Sequence, residues 1–65
     1  AATRDEVTAA LGTLPTRMRE VLVLRYWSEL SEKEIAHTLG VAEGTVKSTA
    51  SRALDRLEIV LGGTR

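Results

Sequence analysis

Ser31-Glu32-Lys33-Glu34-Ile35-Ala36-His37-Thr38-Leu39-Gly40-Val41-Ala42-Glu43-Gly44-Thr45-Val46-Lys47-Ser48 is the stretch whose reading decides the fold. Ser31 with Glu34 three residues later has the form of a capping box, so a helix starts there. Ile35, Ala36 and Leu39 supply its buried face. Gly40 ends it, in the left-handed conformation that glycine adopts at least cost. A second, longer helix follows the short link through Val41 and Ala42. Its apolar positions Val46, Ala50, Ala53, Leu54, Leu57, Val60 and Leu61 fall within an arc of about 120° on a helical wheel. A short helix, a glycine turn and a longer helix make a helix-turn-helix, provided the two helices approach closely. Ala36 is small where the second helix must cross, and Val46 can fold back into the gap between them. The same parts could build a plain αα-corner in a helical bundle.

Two helices precede this unit. Thr3 and Glu6 form another capping box, and Val7, Ala10 and Leu11 give a buried stripe that Gly12 stops. Pro15, tolerated in a first turn, opens a helix through Tyr26 on which Met18, Val21 and Leu22 repeat the spacing. Val23 and Leu24 lie off that stripe, so this helix is central or lends one side to a partner. Tyr26 and Trp27, adjacent at a helix end, are expected to cap the core rather than to stack on bases. Gly62-Gly63 closes the last helix, and the final residues are expected to fray. The expected fold is all-α: one small four-helix domain over residues 1–65, with the helix-turn-helix at about 31–61.

Composition narrows the function. A chain of 65 residues closes around a single core, and without cysteine it has neither disulfides nor a thiolate metal site. The longest apolar run, Val21 to Leu24, is far below the roughly 20 residues that cross a bilayer. A cytoplasmic, non-membrane protein is expected. Starting Ala1-Ala2-Thr3 without methionine, the chain reads as a segment of a longer protein. His37 is the lone histidine, no serine and carboxylate are spaced to form a triad with it, and no glycine-rich phosphate loop is present. No catalysis, cofactor or metal is expected. Nine basic and nine acidic residues cancel, which argues against a free-standing protein that coats nucleic acid by bulk attraction. From Lys47 onward, however, Lys47, Arg52, Arg56 and Arg65 outnumber Asp55 and Glu58.

The polar side of the last helix carries Thr45, Lys47, Ser48, Ser51, Arg52 and Asp55. A helix entering the major groove needs short donors near its start, so that its backbone comes close, and a fork-shaped donor further along for base edges. Ser48, Ser51 and Arg52 meet that need, with Arg52 able to donate twice to guanine. Lys47 and Thr45, with the first-turn N–H groups, suit phosphates. The alternative is a solvated face with an Arg52/Asp55 pair.

The run from Leu14-Pro15-Thr16-Arg17-Met18-Arg19-Glu20-Val21 through Leu30-Ser31-Glu32-Lys33-Glu34-Ile35-Ala36, Leu39-Gly40-Val41, Gly44-Thr45-Val46-Lys47-Ser48 and Ser51-Arg52-Ala53-Leu54 resembles region four of bacterial sigma factors of the extracytoplasmic-function type. The Tyr26-Trp27 pair is similar to actinobacterial members. The resemblance implies a domain that reads the minus-35 promoter element and docks on the flap of the RNA polymerase β subunit, with anti-sigma masking as a family habit. It places DNA-reading positions on Lys47, Ser48, Ser51 and Arg52, supported by Thr45, and implies a monomer when isolated. Thr49 stands where many members have arginine, and Ala42 where serine usually caps the helix. Two rival readings remain: a response-regulator-type helix-turn-helix, which usually lacks the Leu-Pro pair and the Arg-Ala-Leu run, and an interaction-only module without DNA contact. Ile59, on the polar side, could join Val23 and Leu24 in a partner surface.

Overall fold

The computed structural model describes residues 3–62. Four α-helices follow one another: α1 (Arg4–Gly12), α2 (Thr16–Leu22), α3 (Glu32–Leu39) and α4 (Glu43–Val60), with a π-helical turn at Val23–Trp27 continuing α2. Both predicted capping boxes form. The Glu6 N–H donates to Thr3 Oγ1 at 3.2 Å and the Thr3 N–H to Glu6 Oε1 at 2.8 Å. At α3 the corresponding bonds between Ser31 and Glu34 measure 3.0 and 2.8 Å. Pro15 sits one position earlier than a first-turn proline, as the cap of α2. Gly62 has the left-handed φ of a terminator, whereas Gly63 and the expected fraying beyond it lie outside the described residues.

Helix α4 is the element against which α1, α2 and α3 all pack. Its 18 residues extend about 27 Å at the standard rise and account for most of the 33 Å long dimension. The buried side chains divide into two clusters along it. Val21, Ile35, Ala36, Val46 and Ala50 form one, edged by Leu24, Leu30, Leu39 and Val41. Leu11, Leu14, Leu22 and Ala53 form the other, edged by Val7, Met18 and Leu57. Consecutive residues of α2, Val21 and Leu22, thus face different clusters, which is why that helix reads as apolar around so much of its girth.

Two expectations are corrected. Tyr26 and Trp27 do not cap the core, being 54% and 56% exposed. The helix widens just before them, with the Ser28 N–H reaching back five residues to the Val23 carbonyl at 3.0 Å, and the chain then turns so that Leu30 packs on the first cluster instead. The Leu30 N–H is held by the Leu24 carbonyl at 3.0 Å and the Leu30 carbonyl accepts from Arg25 Nη1 at 3.4 Å. This tight return puts Glu29 at φ +56°, the one positive-φ residue other than glycine among those described. Leu54 and Val60, expected on the buried stripe of α4, are 41% and 48% exposed. Both lie at the edges of the apolar arc, on either side of Ala53 and Leu57, which take the contacts with the second cluster.

Candidate nucleic-acid interface

The helix-turn-helix closes as its sequence requires. Gly40 takes φ +70° and ψ +35°, and its N–H donates to the Ala36 carbonyl. The Val41 N–H reaches the same carbonyl at 3.0 Å. Ile35 and Val46 are buried to 0% and 1% exposure, and Ala36 and Ala50 lie beside them. Small side chains let the backbones of α3 and α4 approach, and Val46 fills the space left between them.

With that face of α4 buried, its opposite face is committed to solvent. Thr45, Lys47, Ser48, Ser51 and Arg52 are all exposed, as is Asp55, while Thr49 is half-buried. Ser48, Ser51, Arg52 and Asp55 are spaced i, i+3, i+4 and i+7 and so form one stripe along the helix. Thr45 lies one turn before Ser48, and Lys47 one turn before Ser51. The Ser48 hydroxyl donates to the Thr45 carbonyl at 3.2 Å, so its lone pairs, or a rotated hydroxyl, face outward. The Arg52/Asp55 pair expected of a merely solvated face does not form: among the described residues the ion pair found is Arg17–Glu20 at 3.6 Å on α2. No side-chain oxygen caps α4, because Ala42 occupies the cap position in extended geometry. The Thr45 N–H is taken by the Ala42 carbonyl at 3.0 Å, which leaves the N–H groups of Glu43 and Gly44 and the positive end of the helix dipole open to an anion.

Hydrophobic surface outside the core falls into separate grooves. Val23 and Leu24 share one with Arg19, Glu20 and Leu39. Ile59, 75% exposed, lies in another with Thr13, Leu14, Arg56 and Val60, so Ile59 does not join Val23 and Leu24 in one surface. His37 is exposed on the outer side of α3, and among the described residues there is no cluster of His, Asp and Glu that could hold a metal ion. Among them, too, no helix is long and apolar enough to cross a membrane. At the start of α3 the Ser31 N–H, and next the Ser31 hydroxyl, favour the charged form of Glu34 and hold its carboxyl below the usual glutamate range.

Residues 4–57 match the family model for sigma-70, region 4. The chain belongs to that family. It is 50% identical over 48 residues to an RNA polymerase sigma-E factor of Streptomyces antibioticus, covering 74% of this chain and 27% of that protein. The RNA polymerase sigma factor FliA of Escherichia coli K12 is 44% identical over 59 residues, 91% of this chain and 25% of its own length. The ECF RNA polymerase sigma factor SigM of Bacillus subtilis is 36% identical over 55 residues, 85% of this chain and 34% of its own. The chain thus spans only about a quarter to a third of the relatives it matches. This region 4 is of the extracytoplasmic-function kind, with actinobacterial sequences among its relatives, and the response-regulator alternative is not favoured.

Proposed function

We propose that residues 1–65 form one region-four unit, helix-turn-helix at about 31–61, that recognises the minus-35 element of a bacterial promoter on behalf of an RNA polymerase holoenzyme. The observation that carries this reading is the Ser48, Ser51, Arg52 stripe: polar, exposed and free of ion pairs among the described residues, on a helix whose other side is locked into the helix-turn-helix core. Arg52 is the base-reading fork, Ser48 and Ser51 allow close approach of the backbone, and Lys47 and Thr45 with the open helix start hold phosphates. The role is regulatory rather than catalytic, and it is exercised in the cytoplasm. The Val23–Leu24 groove is the candidate contact for the polymerase β flap, or for an anti-sigma factor competing with it.

Zero net charge fits a domain delivered to DNA by a larger assembly, where tethering supplies effective concentration in place of intrinsic affinity. The isolated monomeric domain accordingly binds promoter duplex weakly, with steep salt dependence. Fluorescence anisotropy against a promoter duplex and its mutated counterpart tests the assignment. Arg52→Ala lowers discrimination between them by about 1–3 kcal/mol, whereas Lys47→Ala weakens both alike. Equal behaviour of the two variants, or nanomolar binding by the monomer at physiological salt, overturns it. A parallel titration with the flap segment separates this reading from an interaction-only module, which would bind the segment and ignore DNA.

A further inference from the structure

One residue on the exposed stripe has a charge opposed to DNA. Asp55 follows Arg52 by three residues and Ser48 by seven, in the middle of the solvent-facing side of α4. It is exposed and takes no ion pair among the described residues, so neither Arg52 nor Arg56 neutralises it. An ionised carboxylate only accepts hydrogen bonds. Phosphates offer it no donor, nor do the O6 and N7 edge of guanine or the O4 of thymine; in the major groove only the amino groups of cytosine and adenine do. Ile59, one turn further along the same line, is 75% exposed and offers DNA no polar group. The stripe therefore runs from short hydroxyls through a fork-shaped cation to a carboxylate and then to an apolar side chain.

Distance decides where Asp55 would meet DNA. Seven residues of helix advance about 10.5 Å, close to the roughly 12 Å width of the major groove. With Ser48 and Arg52 at the base edges, a side chain as short as aspartate ends at the strand rim and stays solvated. Were the helix to slide or tilt by one turn, Asp55 would be pushed among phosphates or acceptor edges. We propose that Asp55 is a negative specificity determinant, a fixed charge that penalises those registers of α4 that set it against phosphates or acceptor edges, and so favours the one in which Arg52 finds its base. This rests on the DNA-binding reading of α4 and adds to it a residue that acts by repulsion. Non-promoter complexes sample many registers and suffer most, whereas the promoter complex, pinned by Arg52, suffers least.

The test compares the chain with its Asp55→Asn and Asp55→Ala variants on two duplexes: the sequence most enriched from a randomised pool by the unmodified chain, and a scrambled duplex of the same composition. Both substitutions lie at an exposed helical position and keep the fold, which far-ultraviolet circular dichroism verifies. At low salt both variants bind the scrambled duplex about five-fold more tightly, the effect of removing one close like-charge contact in water. They gain less than two-fold on the enriched duplex, and the difference closes as salt rises. No gain on either duplex, an equal gain on both, or weaker binding of the enriched duplex overturns the proposal, the last by making Asp55 a positive contact or a positioning partner of Arg52. The selection is run at low salt, where weak binding by the isolated domain is strong enough to read; if the unmodified chain binds there but enriches no sequence, the promoter-reading assignment falls as well, and if it enriches one and the variants behave like it, only the role of Asp55 falls.

Discussion

Glu29 is where a single residue opposes its own backbone. A φ of +56° crowds the β-carbon of any L-residue and costs roughly 1–2 kcal/mol that glycine does not incur. Because Glu29 is exposed, removing its side chain sacrifices little packing. Glu29→Gly is therefore expected to stabilise the domain by about 0.5–1 kcal/mol, net of the extra freedom glycine gains in the unfolded chain, seen as a higher midpoint in urea with an unchanged slope. Nothing in the sequence marks this strain, since Glu29 stands between two helical patterns without a glycine or asparagine to signal a left-handed turn. Glu34 is the opposite case, legible from Ser31-Glu32-Lys33-Glu34 alone. Its folded pKa lies below the ordinary value of about 4.5 because the charged form accepts from Ser31. The stabilisation is thus fully present above that pH and is lost as the pH falls through the depressed folded value. Urea titrations across this acid range should show the loss in the natural chain, and Glu34→Gln, which keeps an acceptor but cannot titrate there, should flatten it.

Individual elements follow their local rules more faithfully than they follow their expected burial. The starts of α1 and α3 and the ends of α3 and α4 are where capping boxes and glycines put them, because these signals act within three or four residues. Burial failed at the edges of a face, where it depended on how far the neighbouring elements wrap around it. Leu54 and Val60 belong to the apolar arc of α4, yet they are its two edges, and Ala53 and Leu57 between them take the contacts with α1 and α2. Tyr26 and Trp27 failed for a different reason: the π turn shifts the register of the chain just before them, and that widening has no pattern in Val23-Leu24-Arg25-Tyr26-Trp27. The open start of α4 was legible, in contrast, from Ala42 alone. Ala42 already has the extended geometry of a cap, φ −73° and ψ 149°, so a serine there needs no rearrangement to accept from the first-turn N–H groups. Ala42→Ser is expected to raise stability by about 1 kcal/mol, measurable as an increase in thermal midpoint, and to slow hydrogen exchange in the first turn of α4 more than elsewhere.

For the whole molecule, the question is whether two clusters strung along one helix behave as one domain or two. Ile35, Val21 and Val46 hold the helix-turn-helix, while Leu11, Leu14 and Leu22 hold α1 to the far half of α4. The clusters share two rigid elements: α4 runs through both, and α2 contributes Val21 to one and Leu22 to the next. Unwinding α4 at either end deprives the other of part of its partner, so the two should melt together. The exposed stripe depends on the same coupling, because Ser48, Ser51 and Arg52 keep a common face only while α4 is helical from the Val46 contact to Ala53. Ile35→Ala tests this. It removes a fully buried side chain at the α3–α4 crossing, at a cost of about 2–5 kcal/mol, against a total stability that for a domain of this size is on the order of 3–10 kcal/mol. A large fraction of the variant should be unfolded at 37 °C. If the clusters are coupled, the far-ultraviolet helical signal and hydrogen-exchange protection around Leu11 and Leu14 fall together with DNA binding, in one transition. Retained protection around Leu11 and Leu14 with DNA binding abolished would mean that the helix-turn-helix melts as a separate unit.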